Sequence, residues 1–374
     1  MSEAATPSAT GLRGDQPFKL GVFCLNLSGG ASMSKKASGK LTWDFNQRIG
    51  QEADRAGWDF LLPLGRWRGL GGETNPNGGQ FEVFTWAAAM AAVTEKITVM
   101  STVQVPVMHP IVAAKQAATI DRISGGRYAM NLVAGWNAKE FAMFGLTQKE
   151  HDDRYDAADE WLTVMELLWE EGADPNFEGE YYGLWDGYLE PKPVQQPRIP
   201  IVSAGQSSRG MEFALTRANY IFVGGHNMEA LAATADRTKA TRSTLGSQTE
   251  MLTHSPVVIA DTNEEAERIF SYYVDEHGDW EAALGVARGM LAGGNKSNDL
   301  SDEALHGFAR GLISGWAGLP LVGTAERIAE DIVRMHELGV HGVGLTWFDY
   351  ETGVSEFNEK VTPLLIQAGV RHAI

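Results

Sequence analysis

Cysteine is almost missing: Cys24 is the single one in 374 residues. An internal disulfide and a CxxC metal site are thereby excluded, and a reducing cytoplasm is the expected setting. The nine histidines are scattered, so no zinc cluster is expected either. Long apolar runs are lacking, and none approaches the ~18 residues of a membrane-crossing helix. Met1 to Gln16 is small and polar, without the apolar core of a secretory signal. Residues 1–17 therefore read as a flexible terminus. Basic residues are few, 31 Lys and Arg against 48 Asp and Glu, giving a formal charge of −17. That balance argues against nucleic acid and against an anionic membrane surface. Familiar catalytic signatures are absent too. No GxSxG elbow or HExxH helix occurs. Gly294-Asn295-Lys296-Ser297 lacks the upstream glycine of a phosphate loop, and Gly69-Leu70-Gly71 has Thr74 where a third glycine belongs.

What remains is a regular rhythm. With 44% hydrophobic and 21% charged residues the chain is globular in composition. Eight β-rich runs begin near Phe18, Asp59, Ile97, Tyr128, Ile199, Tyr220, Ser255 and Gly342. Helical patterns separate them. Tyr155, Ala158, Leu162, Met165 and Trp169 recur at i+3/i+4 spacing, as do Ile328, Ile332, Met335 and Leu338. Thr324 is placed to cap the latter helix and Gly339 to end it. Eight alternations of strand and helix predict an α/β fold, a (β/α)8 TIM barrel with loop insertions, over residues 18–374 as a single domain. A doubly wound open sheet is the structural alternative. Four polar stretches interrupt the rhythm: Ser28 to Lys40, Gly69 to Gly79, Gly172 to Gln196 and Gly293 to Asp302. The last, rich in Gly, Asn and Ser, is expected to be a mobile lid.

In such a barrel chemistry sits at the carboxyl ends of the strands. Asn26, Leu62 to Arg66, Thr102 to Gln104, Asn131 to Trp136, Gly205 to Ser208, Gly224 to His226 and Trp347 to Tyr350 fall there. Ala204 to Gly210 ends a strand and opens a helix, where backbone N–H groups and Ser hydroxyls attract a phosphate; an ordinary Ser N-cap explains the same residues. His151 to Tyr155 opens another helix. Arg154 and Tyr155 offer donors to an anion, and a solvated first turn capped by Asp152 or Asp153 is the plainer account. Asn131 is either a site amide or a buried one satisfying a loop. Arg66 and Arg68 are either surface charges or partners of a carboxylate or ligand. Ser124-Gly125-Gly126-Arg127 reads as a helix stop and tight turn.

From Ala118 to Phe141 the sequence ATIDRISGGRYAMNLVAGWNAKEF resembles the bacterial luciferase-like monooxygenases. RGLGG at Arg68, AAVT at Ala91, AGQSSRGM at Ala204 and LVGT at Leu321 extend the likeness, toward the branch that oxygenates pyrimidines. NLSGG at Asn26, HDDRY at His151 and PKPVQQP at Pro191 are similar to the dimethyl sulfone branch. Together they span Lys19 to Leu365.

The resemblance implies reduced FMN at the barrel mouth, contacted by Gly65, Arg66, Asn131, Glu140, Arg154, Tyr155 and Ser207. The pyrimidine branch has lysine where this chain has Arg66, which keeps the charge and changes its reach. It implies an oxygen pocket of Leu62, Thr102, Asn131 and Trp136. There O2 would react with the reduced flavin to give a flavin peroxide, which attacks a ring amide carbonyl or, in the sulfone branch, leads to C–S cleavage. No strong general base stands out, as suits a nucleophilic peroxide. No NADH fingerprint is visible, so a separate flavin reductase is the implied partner, beside a small-molecule substrate and a homo-oligomeric assembly. A deazaflavin-dependent reductase on the same barrel and a flavin-binding barrel without turnover are the competing readings.

Overall fold

In the computed structural model, residues 11–172, 174–292 and 301–373 are described. The lid expected at Gly293 to Asp302 lies outside them except for its last two residues, where Ser301 caps a helix through its hydroxyl. In chain order the elements are β1 (Lys19–Phe23), α1 (Trp43–Arg55), β2 (Phe60–Leu62), α2 (Val83–Val93), β3 (Thr98–Gln104), α3 (Pro110–Ser124), β4 (Tyr128–Val133), α4 (Ala138–Met143) and α5 (His151–Trp169). A short hairpin, β5 (Phe177–Glu178) and β6 (Gly183–Leu184), precedes β7 (Ile201–Ser203), α6 (Ser208–Arg217), β8 (Tyr220–Phe222), α7 (Met228–Leu245) and β9 (Glu250–Ile259). Then come α8 (Asn263–Ser271), α9 (Trp280–Ala292), α10 (Asp302–Gly315), β10 (Leu321–Gly323), α11 (Ala325–Glu337), β11 (Val340–Thr346), α12 (Tyr350–Lys360) and α13 (Thr362–Gln367).

Eight strands close into a parallel barrel in the order β1-β2-β3-β4-β7-β8-β9-β11, with β11 pairing back onto β1. This is the expected (β/α)8 barrel, not an open sheet. Each anticipated strand is present within a few residues. The largest shift is in β9, which starts at Glu250 rather than Ser255. Its first half pairs with β8 and β11 in the barrel wall, and its outer end, Val257–Ile259, carries β10 as an outside strand. Three residues pairing with one neighbour give too little pattern to mark β10 in the sequence.

Local signals explain the helices. Thr324 accepts a hydrogen bond from Arg327 N, and Ile328, Ile332 and Met335 are buried along one stripe. Gly125 ends α3 in the left-handed conformation, φ 65°, as the Ser124 to Arg127 turn predicts. The cap of α5 differs from expectation. Glu150 holds that position without a side-chain bond, and Asp152 and Asp153 lie in the first turn, where their charge opposes the helix dipole.

The core has two shells. Phe23, Phe60, Leu62, Met100, Val202, Phe222 and Leu252 fill the barrel, and the outer shell packs strands against helices. The bottom is plugged by a stretch expected to be flexible. Gly11–Arg13 forms a 3-10 turn, Leu12 is 1% exposed, and its N–H donates to Thr98 Oγ1 while Tyr220 donates to its carbonyl. Burial of Leu12 and these two hydrogen bonds together offset the entropy of ordering the turn. A third cluster, including Phe270, Val274, Leu312 and Ile313, lies under the insertion between β9 and β10 and roofs part of the barrel mouth.

Candidate active site

Parallel pairing places the anticipated residues side by side. Thr102 of β3 sits opposite Asn131 of β4, and Asn131 Nδ2 donates to Thr102 Oγ1 at 3.2 Å. The Thr102 hydroxyl in turn donates to the carbonyl of Pro63. It therefore satisfies a backbone group as well. Asn131 is half satisfied: its Oδ1 is buried and has no partner. Leu62 ends β2 and is 2% exposed in the inner shell. Gly65 passes so close to β3 that a Cβ there would lie 2.3 Å from Thr102 O. Only glycine allows that approach.

Arg66 is no surface charge. It is buried, its guanidinium lies over the rings of Trp136 and Trp316 at 5.0 and 4.7 Å, and Glu140 Oε2 stands 3.7 Å from Nη1. Burial pulls the Arg66 pKa down, and Glu140 opposes the shift. Arg66 Nε has no partner. Glu140, 0% exposed, accepts from Trp67 N at 2.9 Å with one oxygen and from Gln104 Nε2 at 2.8 Å with the other. Both its oxygens thus hold the β2 loop and β3. Arg68, two residues on, is exposed.

A second cluster surrounds the start of α6. Ser207 Oγ accepts from Gly210 N at 3.1 Å, the plain N-cap. It also shares a hydrogen bond with the Tyr155 hydroxyl, whose pKa burial raises and this bond lowers. Gly205 and Gly210 have no room for a Cβ: each abuts the other's backbone, and Gly210 also abuts the Tyr155 hydroxyl. Arg154 Nη1 donates to the carbonyl of Gly135, on the Trp136 loop. A cavity of about 840 Å³ opens here, lined by Ser207, Ser208, Arg209, His151 and Arg237.

Other candidates prove structural. Asn26 clamps the β2 loop through Leu64 N, Leu64 O and Phe81 O. Trp347 and Tyr350 are buried, the latter donating to Phe23 O. Burial pushes the Cys24 thiol well up, which leaves no thiolate nucleophile. Sequence reasoning missed Trp316. It lies between α10 and β10, far from any barrel strand end in the chain, yet it covers Arg66. Trp316 and Ala317 both have positive φ, 54° and 58°. His254 Nε2 donates to Trp316 O at 3.1 Å and anchors the strained turn. The glycines flanking the pair, Gly315 and Gly318, were the available signal. Gln104 was within a named strand end but carried no assigned role.

Among the described residues no group of His, Cys, Asp and Glu could hold a metal. None of their helices is long and apolar enough to cross a membrane.

A barrel with polar groups gathered at one mouth is the frame of a large enzyme class, and sequence comparison narrows it. The profile described as luciferase-like monooxygenase matches residues 18–342, and the chain belongs to that family. Pyrimidine monooxygenase RutA of Acinetobacter baylyi is 32% identical over 356 residues, 93% of this chain and 95% of that protein. FMNH2-dependent dimethylsulfone monooxygenase of Pseudomonas putida is 30% identical over 354 residues, 94% and 96% of the two chains. The crystal structure of riboflavin lyase RcaE, with modified FMN and riboflavin, superposes with a TM-score of 0.80 over 95% of this chain and 92% of its own. At 24% identity it shares the fold.

Proposed function

We propose that the chain is a two-component monooxygenase. It takes reduced FMN from a separate flavin reductase and oxygenates a small cyclic amide of the pyrimidine type. The observation that carries this reading is the pair of unpartnered buried polar atoms, Asn131 Oδ1 and Arg66 Nε, at the mouth of a family barrel. A buried polar group without a partner is costly, and a polar ring system bound there would satisfy both. The start of α6, with Ser207 and Tyr155 and with Arg154 close by in sequence, suits a phosphate. The donor set thus fits FMN from ring to phosphate.

Reduced FMN, when bound, supplies the electrons that activate O2. The protein's share is placement. Thr102 and Asn131, side by side at the ends of β3 and β4, together with Leu62 would hold dioxygen. Trp136 and Trp316 exclude water and fix Arg66. Glu140 acts by positioning Arg66 and the Trp67 backbone, since both its oxygens are already engaged. The cyclic-amide class follows the 32% identical relative.

The test is oxygen uptake with reduced FMN and a supplied reductase, run with uracil-type amides and small sulfones. Amide-dependent uptake with formation of an oxygenated product supports the reading. Coupling to sulfones alone moves the enzyme to C–S cleavage. Uptake indifferent to every substrate, with all oxygen recovered as hydrogen peroxide, removes the oxygenase.

A further inference from the structure

Beside the mouth lies a cavity of about 360 Å³ that none of the roles above uses. Trp136 forms one wall, the Gly69–Gly71 turn another, and Val286 and Gly289 of α9 a third. A Cβ on Gly289 would stand 3.6 Å from Trp136, so α9 and the ring enclose the space in van der Waals contact. Two cations line it, Arg68 and Lys139. Neither makes an ion pair with a described residue, and no carboxylate is among the described lining residues. In a chain of net charge −17 that is a marked local reversal. Elsewhere on the surface Lys35 pairs with Glu73, Arg48 with Glu351 and Arg310 with Asp275. Two unpaired ones facing a concave, part-apolar space concentrate positive potential in it.

We infer that this cavity receives the anionic part of the substrate, a carboxylate or sulfonate held by Arg68 and Lys139, while the reacting part lies beyond Trp136. The inference rests on the oxygenase reading for its meaning and sharpens it: the substrate is an acid, and within the pyrimidine type a ring carboxylate. Trp136 connects the two spaces, since the same ring that walls the cavity stacks on Arg66. Arg68 and Lys139 are exposed, so their replacement is expected to leave the barrel intact.

The experiment is calorimetric titration of the flavin-loaded chain with matched pairs: orotate against uracil, and methanesulfonate against dimethyl sulfone. Each pair differs chiefly in the anionic group, and the two arms separate carboxylate from sulfonate. The wild type is expected to bind at least one anion about tenfold tighter than its neutral partner, with the preference shrinking as salt is raised. Arg68→Glu with Lys139→Glu abolishes the preference, Arg68→Gln with Lys139→Gln reduces it, and affinity for uracil and for FMN is unchanged in both. Equal binding of both members of each pair to the wild type overturns the inference, as does no binding of any of the four. A preference that survives charge reversal overturns it as well. Weakened FMN binding in the charge-reversed protein with an intact preference reassigns the cations to the flavin phosphate. Binding needs no turnover, so loss of the oxygenase reading, seen as substrate-independent oxygen uptake, is read separately.

Discussion

Two buried arginine–carboxylate pairs sit at opposite ends of the barrel and differ in how fully they are bonded. At the bottom, Arg371 donates to Asp59 Oδ2 at 2.6 Å, to Phe18 O at 2.8 Å and to Gly57 O at 2.9 Å. Asp59 also accepts from Leu20 N at 2.8 Å. Burial raises the Asp59 pKa, and Arg371 pulls it back down. At the mouth, Arg66 and Glu140 are just as buried, with side chains 4% and 0% exposed against 1% and 3%. Yet they stand 3.7 Å apart, and Arg66 keeps an unpartnered Nε between two indole faces. Equal burial therefore carries different meanings. A saturated pair fixes where the chain ends dock; an unsaturated one leaves a buried donor open to the ligand proposed above. The bottom of such a barrel serves stability and the top serves chemistry.

The largest effect expected from that contrast is on stability. Asp59→Ala strands the Arg371 guanidinium in a buried site and should cost about 3–5 kcal/mol in urea unfolding. Flavin affinity per folded molecule should not change. Arg66→Met should cost less, about 1–2 kcal/mol, because Glu140 keeps its bonds to Trp67 N and Gln104; its main effect should be weaker FMN binding. A larger stability loss at Arg66 than at Asp59 would break the contrast.

Next in size is the phosphate end. If Arg154 holds the flavin phosphate as proposed, Arg154→Ala removes a charge-assisted contact worth about 1.5–3 kcal/mol, so FMN affinity should fall about 10- to 100-fold by fluorescence titration. An unchanged titration defeats the assignment of Arg154 to the phosphate.

Thr102→Val keeps shape and deletes one hydroxyl. That hydroxyl bonds both Pro63 O and Asn131, so a stability loss of about 1–2 kcal/mol is expected on structural grounds alone. The oxygen-pocket role adds a separate readout: near-normal FMN binding, less oxygenated product and more hydrogen peroxide per flavin oxidised. A melting curve that falls beside an unaltered product-to-peroxide ratio leaves Thr102 a purely structural residue.

The smallest effect calibrates the others. Arg310 donates twice to Asp275, at 2.7 and 2.9 Å, on the half-exposed face of the insertion. The Arg310 bond holds the Asp275 pKa below its ordinary value, with Ser271 assisting and burial opposing. A lowered folded-state pKa stabilises above the unfolded value and is lost as pH falls through the folded one. This contribution should therefore begin to decline below about pH 4 and be gone only once pH has fallen below the depressed folded-state pKa. At neutral pH Asp275→Asn should cost about 0.2–1 kcal/mol, discounted by solvent and sensitive to salt. A cost near that of Asp59→Ala would show that burial is not what separates the pairs.

The sequence by itself determined what depends on neighbours a few residues apart. Strand and helix periods, the Thr324 and Ser207 caps and the Gly125 stop are short-range, and they suffice for an eightfold barrel with its site at one end. Motif likeness added the family and a list of mouth residues. What only tertiary structure decided depends on who meets whom across the barrel. Register set Thr102 opposite Asn131 and left Asn131 Oδ1 without a partner. Glu140 became a brace rather than an open carboxylate because Gln104 and Trp67 N reach it first. Leu12, in a terminus that reads as loose, became the barrel's plug. Trp316 arrived from the insertion to close on Arg66, and the charges of Arg68 and Lys139 came to share one cavity. Such contacts join segments far apart in the chain, and no local pattern encodes a packing partner that only the closed barrel brings within reach.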